Sequence, residues 1–298
     1  MAYLNWIRFQ IEYRRSKLMG HFRRKEKYRI LQLYYDVVKY LQNSNDEEEL
    51  AIAKYLKNYN YKKGWPVFPY AFADKYYGYP IEVLYDEKID LFFVLWNKKK
   101  LYMKRSMSKD DVVRYMRSIY MEQDEKSPHK YCYNDNDIRD KVVADIGAAE
   151  GFFSLDVVER ANKVYIIEAD EEWLEALKYT FEPYGEKVQF VSKYVSNSNS
   201  GNFISLDECF FNKEINFIKA DIEGAEMPML NGADDVLKRI SSILICAYHM
   251  QKAEQEIQSK LEIYGFSVVA NPGYMIFPDA EHAEKPFLRR GVLKCKKR

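Results

Sequence analysis

From residue 142 to the C-terminus, short apolar runs rich in Val and Ile alternate with longer stretches whose apolar residues recur every three or four positions. The runs at 142–146, 164–167, 187–191, 215–220 and 243–248 read as strands, and the stretches at 171–181, 225–239 and 252–264 as helices. Residues 196–202 are polar and predict a loop. Strands alternating with helices imply βαβ units and a mostly parallel sheet covered on both faces. Two last runs, 267–270 and 291–295, have no long helix between them, which predicts an antiparallel ending.

Before residue 126 the pattern changes. Leu4, Ile7 and Ile11 share one helical face, as do Ile30, Tyr34, Val37 and Val38. Asp46 to Glu49 is an acidic cluster of the kind that opens a helix. Residues 64–80 are rich in Tyr, Pro and Gly and predict irregular, turn-rich chain. A short buried strand is expected at 91–96 and another amphipathic helix at 110–121. The chain is therefore read as two domains, a mainly helical, tyrosine-rich one at 1–125 and an α/β one at 126–298. The first 40 residues hold ten Lys or Arg against three acids. The 1–125 segment as a whole could be a helical cap over the catalytic face, an arm that joins copies into a homo-oligomer, or, through its basic start, a surface that meets anionic membrane peripherally.

Composition narrows the classes. With 46 basic and 45 acidic residues there is no overall field to attract nucleic acid, so no nucleic-acid partner is expected. A hydrophobic fraction of 47% with 12 Gly and 9 Pro marks a globular chain. Cys132, Cys209, Cys246 and Cys295 lie far apart with no CxxC pair, so neither a zinc site nor a disulfide framework is indicated. That usage fits a cytoplasmic protein. No apolar run reaches the ~18 residues of a membrane span. The 26 tyrosines read as wedges between helices rather than as platforms for bases.

The candidate chemistry lies at strand ends. The first strand runs into Gly147-Ala148-Ala149-Glu150-Gly151-Phe152, and the second ends in Glu168-Ala169-Asp170. Small residues let a ligand approach the backbone, and an acid ending the second strand can accept hydrogen bonds from a ribose diol. Glu168 stands 21 positions after Gly147, close to the ~20-residue offset of such a pair. A dinucleotide turn needs glycine at its first, third and sixth positions; the third here is Ala149 and the sixth Phe152, which weakens a NAD-dependent oxidoreductase reading. No phosphate loop ending in Lys-Ser/Thr is present either.

A second constellation follows at 216–226, where an apolar run delivers Asp221 to a strand's carboxyl end, with Glu223 and Glu226 in the loop and helix start beyond it. His249 closes the next strand and is expected to emerge beside Asp221. It is a candidate base or acceptor-orienting group partnered by Asp221, the alternative being a histidine that only bonds backbone. Asp221, Glu223, Glu226 and His249 could instead hold a divalent metal, which their spacing does not decide. His129, just before the first strand, reads as an exposed turn residue.

The pattern Asp145-x-Gly147-x-x-x-Gly151 resembles the first motif of S-adenosylmethionine (SAM)-dependent methyltransferases of the Rossmann-like class. Taken with Glu168-Ala169-Asp170 and with Lys219-x-Asp221-x-Glu223-Gly224-x-Glu226 ahead of Leu230-x-Gly232-Ala233, it resembles the FkbM family of methyltransferases. The resemblance covers residues 142 to about 250, and 288–292 is similar to family endings. It implies a Rossmann-like sheet, SAM as cofactor, and methyl transfer to oxygen on a saccharide, polyketide or other small hydroxylated acceptor. Asp145, Gly147, Ala149, Gly151 and Phe152 would form the cofactor loop, Glu168 would hold the ribose hydroxyls, and Ala169 and Asp170 would lie beside adenine. Trp173 would be packed core or cover for the adenine edge. Two departures stand out: Ala169 where proline is frequent, and Ala149-Glu150, which brings a carboxylate near a sulfonium. The rival outside enzymology is a non-catalytic SAM-binding scaffold.

Overall fold

The computed structural model describes residues 25–278 and 283–298. Leu4, Ile7, Ile11 and most of the basic arm lie outside them. The described chain opens with α1 (Lys25–Leu41) and α2 (Glu47–Asn58). Asp46 caps α2 by accepting from Glu49 N, with Glu47, Glu48 and Glu49 in the first turn favouring the positive end of the helix dipole. The two helices bury Val37, Val38, Leu41, Ile52 and Leu56 against each other, and Tyr34 OH donates to Leu56 O at 2.7 Å.

Two short 3₁₀ turns, Tyr61–Lys63 and Ala71–Tyr76, occupy the Tyr- and Pro-rich stretch. A three-stranded antiparallel sheet follows, β1 (Leu84–Asp86), β2 (Leu91–Trp96) and β3 (Lys99–Tyr102). The N-terminal region is thus less helical than expected. Its turn residues Asn97 and Lys98 both have positive φ, 49° and 67°, as a two-residue hairpin loop requires, but the pair lacks the glycine that would signal it. The helix α3 (Lys109–Glu122) starts in a capping box between Ser108 and Asp111.

Beyond the short α4 (Asp135–Ile138) comes the main α/β layer. In chain order it contains β4 (Val142–Ile146), α5 (Phe152–Val157), β5 (Lys163–Ile167), α6 (Glu171–Phe181), β6 (Val188–Val191), the small parallel pair β7 (Tyr194–Val195) and β8 (Phe203–Ile204), and α7 (Leu206–Cys209). Then follow β9 (Phe217–Ala220), α8 (Glu226–Asn231), α9 (Asp234–Arg239), β10 (Ser242–Cys246), α10 (Ala253–Ile263), β11 (Phe266–Ala270) and β12 (Val292–Lys297). The seven-stranded sheet has the order β11-β12-β10-β9-β4-β5-β6, with β12 antiparallel to both its neighbours and the other pairings parallel. This is the Rossmann-like arrangement with an antiparallel closing strand.

Successive strand residues point to opposite faces, so Val143, Val164, Ile166 and Phe217 pack on one side, and Val142, Ala144, Ile167 and Ile218 on the other. The first face shares its core with Leu91, Leu101 and Met116 of the N-terminal region. The single helix expected at 225–239 is two. A Cβ on Gly232 would sit 2.5 Å from Ser196 O, so the chain breaks there, and Asp207 Oδ1 accepts from Asp235 N and Val236 N to start α9.

Strand order reverses between β4 and β9, and this is where open α/β sheets leave a crevice at their carboxyl ends. A strap crosses toward it. Pro128 O accepts from Val292 N at 3.0 Å and from Asn271 Nδ2, which also donates to Lys130 O at 2.7 Å. Gly291 permits the approach, because a Cβ there would lie 2.1 Å from Pro128 O. No helix among the described residues is long and apolar enough to cross a membrane.

Gly291→Ala should therefore lower unfolding stability by about 2–4 kcal/mol, since backbone on both sides must shift. Gly78→Ala is the control: its added methyl meets nothing within 4 Å. Chemical denaturation of both variants checks the contrast, and equal stabilities would contradict the packing.

Candidate active site

The first loop leaves β4 at Gly147, whose φ of 69° and amide bond to Ile167 O turn the chain over the sheet edge. A Cβ at Gly147 would lie 2.0 Å from Asp221 O, so glycine is what lets the two strand ends meet. Beneath the loop, Asp145 is fully buried. Lys219 Nζ pairs with its Oδ1 at 2.9 Å, and Ser154 Oγ donates to its Oδ2 at 2.8 Å. Lys219 also donates to Gly147 O at 2.8 Å. Asp145 thus anchors the loop from below.

Glu168 faces the loop from β5. Its carboxylate accepts from Ala149 N at 2.9 Å, Ala169 N at 2.7 Å and Asp170 N at 2.8 Å. A carboxylate offers about four acceptor positions, so one remains open for an incoming hydroxyl. Asp170 caps α6 through Glu172 N and Trp173 N and pairs with Lys104 at 2.6 Å. Trp173 is buried, 5.5 Å from the Tyr115 ring and under the Lys104 ammonium. Phe152 stacks on Tyr131 with a 5° interplanar angle, supporting the second half of the site instead of lining the loop turn.

Glu150, on the loop, is 2% exposed and accepts a short hydrogen bond from Tyr115 OH. Burial pushes its carboxyl up to about 7, against the lowering effect of that bond.

The second half centres on Asp221, at the end of β9. Tyr131 OH donates to Oδ2 at 2.9 Å and Tyr248 OH to Oδ1 at 3.0 Å. His129 Nε2 lies 3.4 Å from Oδ2, and His249 Nε2 3.4 Å from Oδ1. Burial alone would raise this carboxyl. The bond and charge of His129, with the charges of Lys219 and His249, outweigh that and hold it well below the usual range. His249 Nδ1 sits 2.7 Å from Glu226 Oε1, so the buried carboxylate accepts its hydrogen, while Nε2 has no hydrogen-bond partner among the described residues. Burial pulls the His249 imidazole down, but the bond to Glu226 and the charges of Asp221, Glu226 and Glu223 carry it above 6.5.

Asp221 and His249 come together as the strand register suggested. Glu226 backs His249, whereas Glu223 is 92% exposed with Oε2 3.5 Å from His249 Nε2. The donor atoms of Asp221, Glu226 and His249 converge within 4.8 Å. Glu226 is already engaged by Nδ1 and approached by the amides of Ile222 and Gly224, which gives the group the chemistry of a hydrogen-bonded relay.

His129 corrects the sequence reading. It is 2% exposed and faces Asp221, because the strap turns it inward. Tyr131, Tyr248 and Tyr115 also join the site without being expected there, and Lys219, expected only as part of the motif, is its buried cation. The i, i+2 spacing of His129 and Tyr131 after Pro128 was the available signal, since extended chain sends alternate side chains to one side.

Residues 202–268 match the methyltransferase FkbM domain model. Among solved structures, the chain is similar to an FkbM methyltransferase from Methylobacillus flagellatus at 14% identity, covering 89% of this chain and 59% of that one, TM-score 0.44. It is also similar to an rRNA methylase from Streptococcus thermophilus (15% identity, 55% and 90% covered, TM-score 0.38). A third likeness is to magnesium protoporphyrin IX methyltransferase from Synechocystis with bound SAM (16% identity, 55% and 73% covered, TM-score 0.35). No curated protein sequence matches the chain.

The buried Glu150 carries a pH signature. With a folded pKa near 7 against 4.5, its penalty is absent below pH 4.5 and full above pH 7, so stability falls as pH rises between them. Glu150→Gln should be more stable than the native chain at pH 8, by at most ~3 kcal/mol at 1.36 kcal/mol per unit, and indistinguishable at pH 4. Thermal unfolding at the two pH values checks this; an equal effect at both would refute the assignment.

Proposed function

We propose that this chain, whose residues 202–268 match the methyltransferase FkbM domain model, moves a methyl group from SAM to a hydroxyl oxygen of a saccharide or other small hydroxylated acceptor. The observation that carries the oxygen-transfer reading is the free Nε2 of His249, 3.4 Å from Asp221 and backed on Nδ1 by Glu226. A hydroxyl must lose its proton on methylation, and this is a proton acceptor with its tautomer already set.

The residues at the first loop suit the cofactor. Glu168 is held by three amides at the rim, which leaves one of its about four acceptor positions for a ribose hydroxyl, and Gly147 and Gly151 wind the loop through positive φ, which brings its backbone close. Ala149 and Asp170 flank Glu168, and Asp145 steadies the turn without reaching the ligand. SAM supplies an electrophilic methyl on a sulfonium when bound. The protein's own work is then to hold the acceptor oxygen in line and to take its proton. His249 takes that proton at Nε2, and Asp221 and Glu226 stabilise the imidazolium that results.

Glu168→Ala should weaken SAM binding at least ~10-fold in calorimetry, as expected for losing a charged acceptor. With labelled SAM and a panel of glycans and lipid-linked sugars, Asp221→Asn and His249→Ala should slow single-turnover transfer by ~10²–10⁴-fold while leaving SAM affinity intact. The rate should fall on acidification through a midpoint above 6.5, because the base works only when neutral. Near-native rates in both variants would remove His249 and Asp221 from the mechanism. SAM binding without transfer to any hydroxylated acceptor would displace the acceptor class.

A further inference from the structure

We propose that His129 is a positioning residue of this site, sharing the Asp221 carboxylate with His249 so that the two imidazoles take up protons as one coupled pair. The inference rests on His249 being the base.

The geometry that carries it is a chain of five groups. Glu122 Oε2 lies 4.0 Å from His129 Nδ1, His129 Nε2 3.4 Å from one oxygen of Asp221, His249 Nε2 3.4 Å from the other, and Glu226 Oε1 2.7 Å from His249 Nδ1. Each imidazole is buried and has its own acid behind it. Both address the same central carboxylate. His129 is placed there by construction: Gly291, Asn271 and Val292 fasten the backbone on either side of it. Tyr131, two residues on, grips the oxygen that His129 faces.

Charged and titratable groups from several elements surround the pair, including the Arg289 guanidinium, which donates to the carbonyls of Tyr248 and His249 at 3.0 Å. His129 is faced by Glu122 from α3, Asp221 and Lys219 from β9 and its end, Cys246 and Tyr248 from β10 and its end, and Tyr131 from its own strap. His249 is faced by Asp221, by Glu223 in the turn, by Glu226 from α8, and by neighbouring Tyr248. Lys219 is already paired with Asp145, so a single imidazolium balances Asp221. A second imidazolium across the same carboxylate meets a like charge already in place, and like charges disfavour each other's ionised form.

That arrangement has a use. Three carboxylates around His249 alone would keep it protonated and useless as a base near neutral pH. If His129 holds the proton, Asp221's charge is partly spent, and His249 can release its own. The strap residue thereby keeps its partner free to accept a proton from the acceptor.

The chain has four histidines, His21, His129, His249 and His282, so ¹⁵N-histidine labelling gives a spectrum assignable by substitution. The experiment compares imidazole titrations in the native chain, His129→Gln and His249→Gln, without cofactor or acceptor. In the native chain one of the pair protonates second on acidification. Removal of its partner should move that midpoint up by ~0.5 unit or more, the size expected for losing a nearby like charge. His129→Gln raising His249 assigns the tuning as proposed. If only His249→Gln raises His129, or neither midpoint moves, the proposal is overturned. Should one variant fail to fold, His129→Asn or His249→Asn serves in its place. The readout needs no methyl transfer, so a chain that shows the coupling yet moves no methyl group would sink the functional reading alone.

Discussion

One buried ammonium holds the two halves of the site in register. Lys219 reaches from β9 to Asp145 on β4, donates to Gly147 O on the first loop, and lies 5.2 Å from the Tyr131 ring centroid. Both charged groups are out of water, so the pair's value lies in what its loss would do: an orphaned buried charge costs ~3–5 kcal/mol. Burial alone would drive the ammonium to release its proton. The charges of Asp145 and Asp221 overcome this and keep it ionised. The ion pair therefore specifies where β4 and β9 end relative to each other, which is the crevice itself.

Around that crevice, parts far apart in the chain converge. The first loop and Asp221 come from adjacent parallel strands, His249 from the next strand over, and His129 with Tyr131 from a strap bound under β12. The antiparallel closing strand thus has a task beyond completing the sheet. Its leading glycine admits Pro128, and Arg289 just before it donates to the carbonyls of Tyr248 and His249, steadying the end of β10. The segment 288–292 is, in this molecule, a fastening for two histidines.

What was legible in the sequence follows the range of the interactions. Strands β4, β5, β9 and β10 announce themselves as β-branched runs, and Glu168, Asp221 and His249 are fixed by where those strands stop. The break at Gly232 was hidden because its cause, the backbone at Ser196, lies 36 positions away. The β2–β3 hairpin was missed because Asn97 and Lys98 adopt positive φ without glycine. His129 looked like surface because nothing near it in sequence reveals that Asn271 and Gly291 would draw it inward. Local pattern reports which residues sit at strand ends; it is silent on which distant segment will be packed against them.

The division of labour at Asp221 follows from counting acceptors. A carboxylate has about four lone-pair positions. Two tyrosine hydroxyls fill two, and the imidazoles of His129 and His249 face the rest. The bond and charge of His129, with the charges of Lys219 and His249, hold Asp221 ionised, which makes it a poor proton acceptor however close it lies to a substrate. A carboxylate so occupied is suited to steadying a cation beside it. On the proposed reading the proton of an acceptor hydroxyl goes to a histidine, and His249 suits that role, with Glu226 fixing its tautomer while Nε2 is unbonded. Asp221 and His249 are distinguished by hydrogen-bond occupancy, and that occupancy is set by the fold.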